Sequence, residues 1–229
     1  MQVKNLFKIS QKERNDFCTH IIDTSAPSVD FYFLIILSTM IVALGLLIDN
    51  VILVIGGMLV TPILSPILAI ALGLATKDPK VIIRSVKIFF ASFLLVFITA
   101  FLVGVFSSIN ISGVDLIHIM QPNLLTFFIA LIAGFAASYT WAKPALNERL
   151  PGVAITVTLI PPLTVIGLAA SHAEWTILET STKTFFLNFF AIIIASLVIF
   201  FLMEFYKAKR KLEQEVKNEE KEIKNGKKK

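Results

Sequence analysis

Long apolar segments without a charged residue alternate with short polar segments along most of the chain. The apolar positions follow neither the two-residue period of a strand nor a one-sided helical stripe. A fully apolar segment of about 20 residues is typical of a membrane-spanning helix. We therefore predict an all-α, polytopic membrane protein with six transmembrane segments. The six uncharged runs cover residues 31–48, 50–76, 88–106, 124–142, 150–171 and 184–203.

Composition supports spanning helices and argues against several function classes. The chain is 56% hydrophobic and only 16% charged, with a mean hydropathy of +0.80. Its single cysteine, Cys18, forms no intrachain disulfide, and no Cys/His cluster has the spacing of a metal site. None of the six runs contains Asp, Glu, Lys, Arg or His, the residue types from which catalytic sites are built. We expect no enzyme, no metal and no nucleic-acid partner.

Basic residues concentrate in alternate connecting segments. With six spans, 20 of the 21 Lys and Arg residues fall on one side of the membrane, and only Lys183 falls on the other. The positive-inside rule places the basic side in the cytoplasm. We therefore predict a cytoplasmic N-terminal segment at 1–29, a membrane domain at 30–205 and a basic cytoplasmic tail at 206–229.

The two polar ends carry weaker patterns. Residues 3–17 are expected to form a short amphipathic helix that lies on the membrane surface. Residues 204–229 carry ten basic and six acidic residues, and their spacing predicts a helix that continues from the last span. Its apolar positions are too few for a coiled coil, so we expect this tail to be solvated beside the inner leaflet.

The second and fifth runs share a sequence pattern. A shift of 95 residues aligns GGMLVTPILSPILAIALG with GVAITVTLIPPLTVIGL without a gap, and it pairs Gly57 with Gly152, Thr61 with Thr156 and Pro66 with Pro161. The same shift superposes the first run on the fourth and the third on the sixth. We predict two three-span repeats, at about 25–119 and 120–214. Because each repeat has an odd number of spans, the second is inverted in the membrane, as in many secondary transporters.

These two segments also carry a family resemblance. The runs IGGMLVTPILSPILAIALGLATKD and GVAITVTLIPPLTVIGLAAS resemble the two hallmark segments of the "domain of unknown function 389" family of membrane proteins. The resemblance covers about 30–205, nearly the whole hydrophobic part. It implies a prokaryotic multi-span protein, which we expect in the cytoplasmic (inner) membrane. It implies no substrate or activity.

Prolines at bilayer depth predict interrupted helices, because water cannot replace the backbone hydrogen bond that a proline removes. In the first repeat we predict a break at Ile63–Ser65, with Ser65 as the N-cap and Pro66 at the first position of a new half-helix. In the second repeat, Pro161 or Pro162 starts the matching half-helix. The alternative is that the prolines only kink two packed helices.

A pair of half-helices would provide two kinds of binding group. Their N-termini offer free N–H groups to an anion, whereas the carbonyls and Thr hydroxyls at the ends of the preceding half-helices suit Na⁺. Gly56, Gly57 and Gly152 would allow a close backbone approach, and Ala130, Gly134 and Ser138 form a small-residue face for helix packing. The predicted substrate-binding residues are Thr61, Pro62, Ser65, Pro66, Thr156, Thr158, Pro161 and Pro162.

Our leading hypothesis is a secondary transporter or channel-like permease for a small solute, with its site at the midplane between the second and fifth spans. An anion is slightly favoured, Na⁺ is the candidate coupling ion, and no other cofactor is expected. The alternative is a non-transporting membrane scaffold or sensor that acts through oligomer contacts and its cytoplasmic ends. In both cases the expected partners are the lipid bilayer and further copies of the chain in a homo-oligomer.

Overall fold

All regular elements in the described part of the chain are helical, as the sequence predicts. The computed structural model describes residues 7, 9–107, 109, 111–115, 117, 121–143 and 152–224, and only the backbone at 152–158, 209–211, 220 and 222–224. The helices are α1 Gln11–Thr24, α2 Val29–Leu47, α3 Val51–Val60, α4 Leu64–Thr76, α5 Pro79–Phe106, α6 Leu124–Trp141, α7 Gly152–Ser171, α8 Trp175–Leu202 and α9 Lys209–Lys224. Short 3₁₀ turns lie at Ile111–Gly113 and Phe205–Ala208.

Polar residues between the apolar runs fix where the long helices begin. The side chain of Ser28 accepts a hydrogen bond at the start of α2, and Asn50 does the same for α3. Asp78 caps α5, whose first residue is Pro79, and Asn123 caps α6. These are the residue types that satisfy free N–H groups at a helix start, and proline is favoured at the first helical position. Side-chain caps therefore mark the starts of these four helices, and α2, α3 and α6 begin within two residues of their uncharged runs, whereas α5 begins nine residues before its run.

Four helices are long and apolar enough to cross a membrane, namely α2, α5, α6 and α8. A fifth candidate consists of α3 and α4, which are bent by 56° at a short break. The described residues thus contain four candidate spans, or five if the bent pair is one span, and the chain is a multi-pass membrane protein. The remaining predicted span coincides with α7, a helix of 20 residues whose side chains are described only from Leu159.

The outer surface of the helix bundle is apolar. Several large hydrophobic side chains point away from the bundle, and in the isolated protein each of them is more than half exposed. They include Phe33 on α2, Ile52 on α3, Phe90 on α5, and Leu125 and Ile132 on α6. A water-soluble protein rarely exposes so much contiguous apolar surface. In a bilayer these side chains contact lipid.

Small residues bring α6 and α8 close together. A Cβ atom at Gly134 would lie 2.8 Å from the Cβ of Ala195, so only glycine fits there. One turn further, the buried hydroxyl of Ser138 lies 2.7 Å from the hydroxyl of Ser196. The small-residue face of α6 therefore packs against α8, as its sequence predicts, and a hydrogen bond links the two helices.

The two ends of the chain differ from the prediction, because both pack against the bundle. Residues 3–6 and 8 of the predicted surface helix at 3–17 lie outside the described residues; from Gln11 onward the segment belongs to α1, whose Phe17, Cys18 and Ile21 are buried within the protein. The tail does not continue α8: the helix ends at Leu202, Glu204 adopts a positive φ of 59°, and α9 follows after a 3₁₀ turn. The apolar positions Leu212 and Val216 of α9 are buried rather than solvated.

We call α1, the turn at Phe205–Ala208 and α9 the terminal layer. These three elements contact one another, and α1 and the turn also contact α4. The rings of Phe17, Phe200 and Phe205 form its centre, with centroids 4.8 to 5.5 Å apart. The layer joins the first helix of the chain to the last one.

Two adjacent glycines in α3 provide a test of this packing. A Cβ at Gly57 would lie 2.7 Å from the Cγ2 of Val42 and 2.9 Å from its backbone nitrogen, whereas nothing lies within 4 Å of the same position at Gly56. The close approach predicted for both glycines therefore exists at Gly57 and is absent at Gly56. The side chain position of Gly152 lies outside the described residues.

We expect Gly57→Ala to lower the free energy of unfolding by about 1–3 kcal/mol, because α3 must move away from α2. Gly56→Ala should leave it unchanged or raise it by up to about 1 kcal/mol, because alanine favours the helix. Equilibrium unfolding of both variants in the same detergent measures the difference. Equal destabilisation by the two substitutions would contradict this packing.

Candidate functional site: the break in the second span

The break between α3 and α4 is caused by Pro62. The last helical residue of α3 is Val60, and Thr61 has extended backbone angles, with φ −76° and ψ 131°. The residue before a proline is pushed out of the helical region, and the proline itself has no N–H to donate. Helical structure resumes at Leu64, and the bend of 56° arises over these three residues.

Ser65 and Pro66 have other roles than those predicted. Because α4 begins at Leu64, Ser65 is not its N-cap and Pro66 is not its first residue, and Ile63 at the cap position provides no side-chain hydrogen bond. The buried Ser65 hydroxyl lies 3.0 Å from the carbonyl oxygens of Thr24 and Pro62 and donates to them. Pro66 is the third residue of α4, where its N–H would have no helical acceptor anyway.

Thr61 is a buried polar residue without a hydrogen-bond partner among the described residues. Its side chain is 8% exposed, and its Oγ1 atom has no donor or acceptor within reach. Nearly all buried polar groups in native proteins are hydrogen-bonded, so an unpaired one indicates a place for water, an ion or a solute. Together with the uncapped start of α4, the hydroxyl makes the break a candidate binding site.

The predicted break in the second repeat is absent. Pro161 and Pro162 lie inside α7, which runs without interruption from Gly152 to Ser171. The helix that the sequence pairs with the broken span is therefore continuous. The side chains of Thr156 and Thr158 lie outside the described residues.

The alignment of the two repeats explains this difference. Under the 95-residue shift, Pro62 corresponds to Val157, so the proline that breaks the first repeat has no counterpart in the second. Pro66 and Pro161, which the repeats do share, interrupt neither helix. Residues 159–169 of α7 are buried among α2, α3, α5, α6 and α8, and this packing holds the helix together across its prolines.

The prolines of α7 still leave two carbonyl oxygens without helical donors. Pro161 and Pro162 have no N–H, so the carbonyls four residues earlier, at positions 157 and 158, receive no bond from them. Because α3 and α7 pack against each other, these oxygens belong to a helix that lies next to the broken span. Thr164, one turn beyond Pro161, is a further fully buried hydroxyl without a partner among the described residues.

A second polar cluster, missed by the sequence analysis, lies at the terminal layer. The guanidinium of Arg84 on α5 donates to Ser25 Oγ at 3.1 Å and to the Ile22 carbonyl at 3.2 Å. The same group forms an ion pair with Glu219 of α9, whose side chain is only 2% exposed. The count of basic residues places Arg84 on the predicted cytoplasmic side, but no sequence pattern indicates that Glu219 is its partner.

Arg14 makes a similar connection at the end of α8. Its guanidinium donates to the Met203 carbonyl at 3.1 Å and lies 3.9 Å from a carboxylate oxygen of Glu204. Lys207 donates a hydrogen bond to the same carboxylate, and this contact lowers the pKa of Glu204 below its ordinary value. Basic side chains at helix C-termini satisfy the last carbonyls and oppose the helix dipole.

We expect Arg84→Gln to lower the free energy of unfolding by about 3–5 kcal/mol, because it leaves the buried Glu219 carboxylate unpaired. Glu219→Gln should cost less, since Arg84 keeps its bonds to Ser25 and Ile22. The double variant should be more stable than Arg84→Gln alone. Unfolding in detergent measures all three proteins.

Lys183→Gln is the matched control, because it breaks the exposed Lys183–Glu179 pair of α8. We expect it to have little effect. If Arg84→Gln and Lys183→Gln are equally well tolerated, Glu219 is not a buried charge that depends on Arg84.

Long apolar helices, an apolar outer surface and one broken span define the chain as a polytopic α-helical membrane protein. Residues 58–194, more than half of the chain, match the family described as "Domain of unknown function (DUF389)", and the chain belongs to this family. The match begins near the end of α3 and extends into α8, so it includes both proline-containing segments. It confirms the resemblance noted from the sequence.

A related protein from Methanocaldococcus jannaschii is uncharacterized. It is 29% identical to this chain over 180 residues, which are 78% of the chain and 55% of the relative. The chain thus spans about half the length of this relative. No solved structure matches the chain.

Proposed function

We propose that this protein is a membrane permease that moves a small solute through the break between α3 and α4. The observation that carries the proposal is the buried hydroxyl of Thr61 at the break of the bent pair α3–α4, which has no hydrogen-bond partner among the described residues. A polar group without a partner destabilises a protein in hydrocarbon, so its presence indicates a functional role.

The contacts at the two ends of the bundle support six crossings. The terminal layer contacts the start of α5 through Arg84–Ile22, the end of α6 through His20–Trp141, and the end of α8 through Arg14–Met203. At the opposite end, Ser112 after α5 donates to Glu174 before α8, at 2.6 Å. These contacts support a topology in which the bent pair α3–α4 and the helix α7 each connect opposite ends.

The helix contacts also support two inverted repeats. The second half of the first repeat's middle span, α4, packs on α8, the last span of the second repeat. Reciprocally, the middle span of the second repeat, α7, packs on α5, the last span of the first. Exchanged contacts of this kind are expected from a pseudo-two-fold axis in the membrane plane.

The charge distribution supports an orientation with both termini in the cytoplasm of a prokaryotic cell. Lys77, Lys80, Arg84 and Lys87 lie at or near the start of α5, the end that contacts the terminal layer. The positive-inside rule assigns such an end to the cytoplasmic face of the inner membrane.

The break offers groups for a solute of either charge. The start of α4 presents N–H groups without a side-chain cap, which favour an anion. Thr61 and the carbonyl oxygens of α7 that face the missing proline N–H groups are oxygen ligands of the kind that bind Na⁺. We favour an anion as the transported solute and Na⁺ as a coupling ion, with one set of groups for each.

The test is flux through the reconstituted protein. Proteoliposomes are loaded with a panel of small anions, and efflux is measured with and without a Na⁺ gradient. We expect flux of at least one anion above that of protein-free liposomes. Thr61→Val should reduce it about tenfold or more, because a hydrogen bond to a charged solute contributes about 1.5–3 kcal/mol.

Ser85→Ala is the control, since it also removes a buried hydroxyl that has no partner among the described residues, but from α5 rather than from the break. We expect it to preserve flux, and we expect both variants to retain the wild-type unfolding midpoint. Equal flux in wild type and Thr61→Val would reject the break as the site.

Absence of flux for every anion in the panel, with and without Na⁺, would reject transport. The non-transporting scaffold or sensor would then be the better candidate. The specific observation that favours it is the terminal layer, in which α1 and α9 are folded against the bundle.

A further inference from the structure

A basic pocket lies where α5 meets the terminal layer. Its volume is about 470 Å³, and it lies between the start of α5, the segment that joins α1 to α2, and α9. Its lining residues are Pro27, Lys80, Ile83, Arg84, Lys87, Ile88 and Glu219. Three of these residues are basic and one is acidic, so the pocket has a net positive charge.

The positive charge that remains available belongs to two lysines. The Arg84 guanidinium is already bound to Glu219, Ser25 and Ile22, so these two opposite charges offset each other. Lys80 and Lys87 are exposed, and neither lies within ion-pairing distance of an acidic side chain in the part of the chain that the structure describes. The Arg84–Glu219 pair forms one wall of the pocket, and the side chains of Lys80 and Lys87 remain available to bind an anion.

The pocket opens towards the lipid-facing surface of α5. Lys87 directly precedes the uncharged run that begins at Ile88, which places the lysine at the edge of the hydrocarbon. Ile83, Phe90 and Leu94 lie on the same side of the helix as Lys87, and all three are more than half exposed. A strip of apolar side chains therefore leads from the basic pocket along the outside of α5.

This combination identifies the ligand class. Two uncompensated lysines attract a phosphate group, and an adjoining apolar strip at the correct depth suits an acyl chain. A soluble phosphate would use the lysines but not the strip. Basic pockets at the cytoplasmic ends of membrane helices are known to bind anionic lipid headgroups.

We infer that this pocket binds the headgroup phosphate of an anionic phospholipid. Lys80 and Lys87 contact the phosphate, the Arg84–Glu219 pair fixes the position of α9 as the wall, and an acyl chain lies along Ile83, Phe90 and Leu94. The site is separate from the break in the second span, and the inference does not depend on transport.

The experiment is a lipid titration of the full chain in detergent, followed by native mass spectrometry. Phosphatidylglycerol is compared with phosphatidylcholine, which has the same acyl chains but no net charge. We expect phosphatidylglycerol to bind more tightly. Lys80→Gln combined with Lys87→Gln should weaken its binding about tenfold or more, because each lysine contributes about 1 kcal/mol. Binding of phosphatidylcholine should not change.

The matched control combines Lys12→Gln with Lys77→Gln, which removes the same charge from exposed residues that do not line the pocket. It should bind phosphatidylglycerol like the wild type, and so should Lys80→Arg combined with Lys87→Arg. Circular dichroism and the unfolding midpoint are compared for all variants to establish that they are folded.

Three results would overturn the inference. The wild type binds both lipids equally, the two lysine pairs have equal effects, or the Lys80/Lys87 variant binds phosphatidylglycerol undiminished. A further titration uses inorganic phosphate instead of lipid. If millimolar phosphate displaces phosphatidylglycerol from the wild type and binds by itself with the same dependence on Lys80 and Lys87, the ligand is a soluble phosphate rather than a lipid.

Discussion

Hydrocarbon provides no hydrogen bonds to an unpaired backbone group, and the arrangement of the second span follows from this constraint. The chain leaves the helical path at Thr61 and resumes it at Leu64, so several N–H and carbonyl groups lose their helical partners. Such a break is tolerated only where protein surrounds it. Accordingly, every residue of α4 except Leu74 is buried, and the Ser65 hydroxyl donates to the last turn of α1. The last turn of the N-terminal helix α1 thus packs directly against the start of α4.

The terminal layer depends on a related requirement at helix ends. The last carbonyls of a helix need donors, and here two arginines provide them to neighbouring elements. Arg84 reaches the Ile22 carbonyl near the end of α1, and Arg14 reaches the Met203 carbonyl at the end of α8. Both guanidinium groups also interact with a carboxylate, Glu219 or Glu204. Charge, helix dipole and the aromatic cluster around Phe17 act together to hold the first and last helices against the bundle.

The two proline-containing segments illustrate how similar sequences lead to different local structures. The shared prolines, Pro66 and Pro161, suggested equivalent breaks, and the sequence comparison gave the unshared Pro62 no special weight. Pro62 stands two residues after the end of the ten-residue helix α3, and Thr61 before it adopts an extended backbone. Pro161 and Pro162 instead lie in the middle of α7, which is enclosed by neighbouring helices. Local chemistry alone therefore predicts where a hydrogen bond is lost, and the neighbouring helices determine whether the helix breaks there.

The sequence by itself determined the class of protein and the four long apolar helices that are candidate spans. Long uncharged runs are stable in lipid as helices, because a helix satisfies its own backbone hydrogen bonds. Only the tertiary structure decided the location of the break, the continuity of α7, the docking of α1 and α9 and the pairing of Arg84 with Glu219. Short amphipathic segments can face water, lipid or protein with the same pattern, and an ion pair between distant residues leaves no periodicity in the chain. These choices depend on which surfaces meet after the bundle has formed.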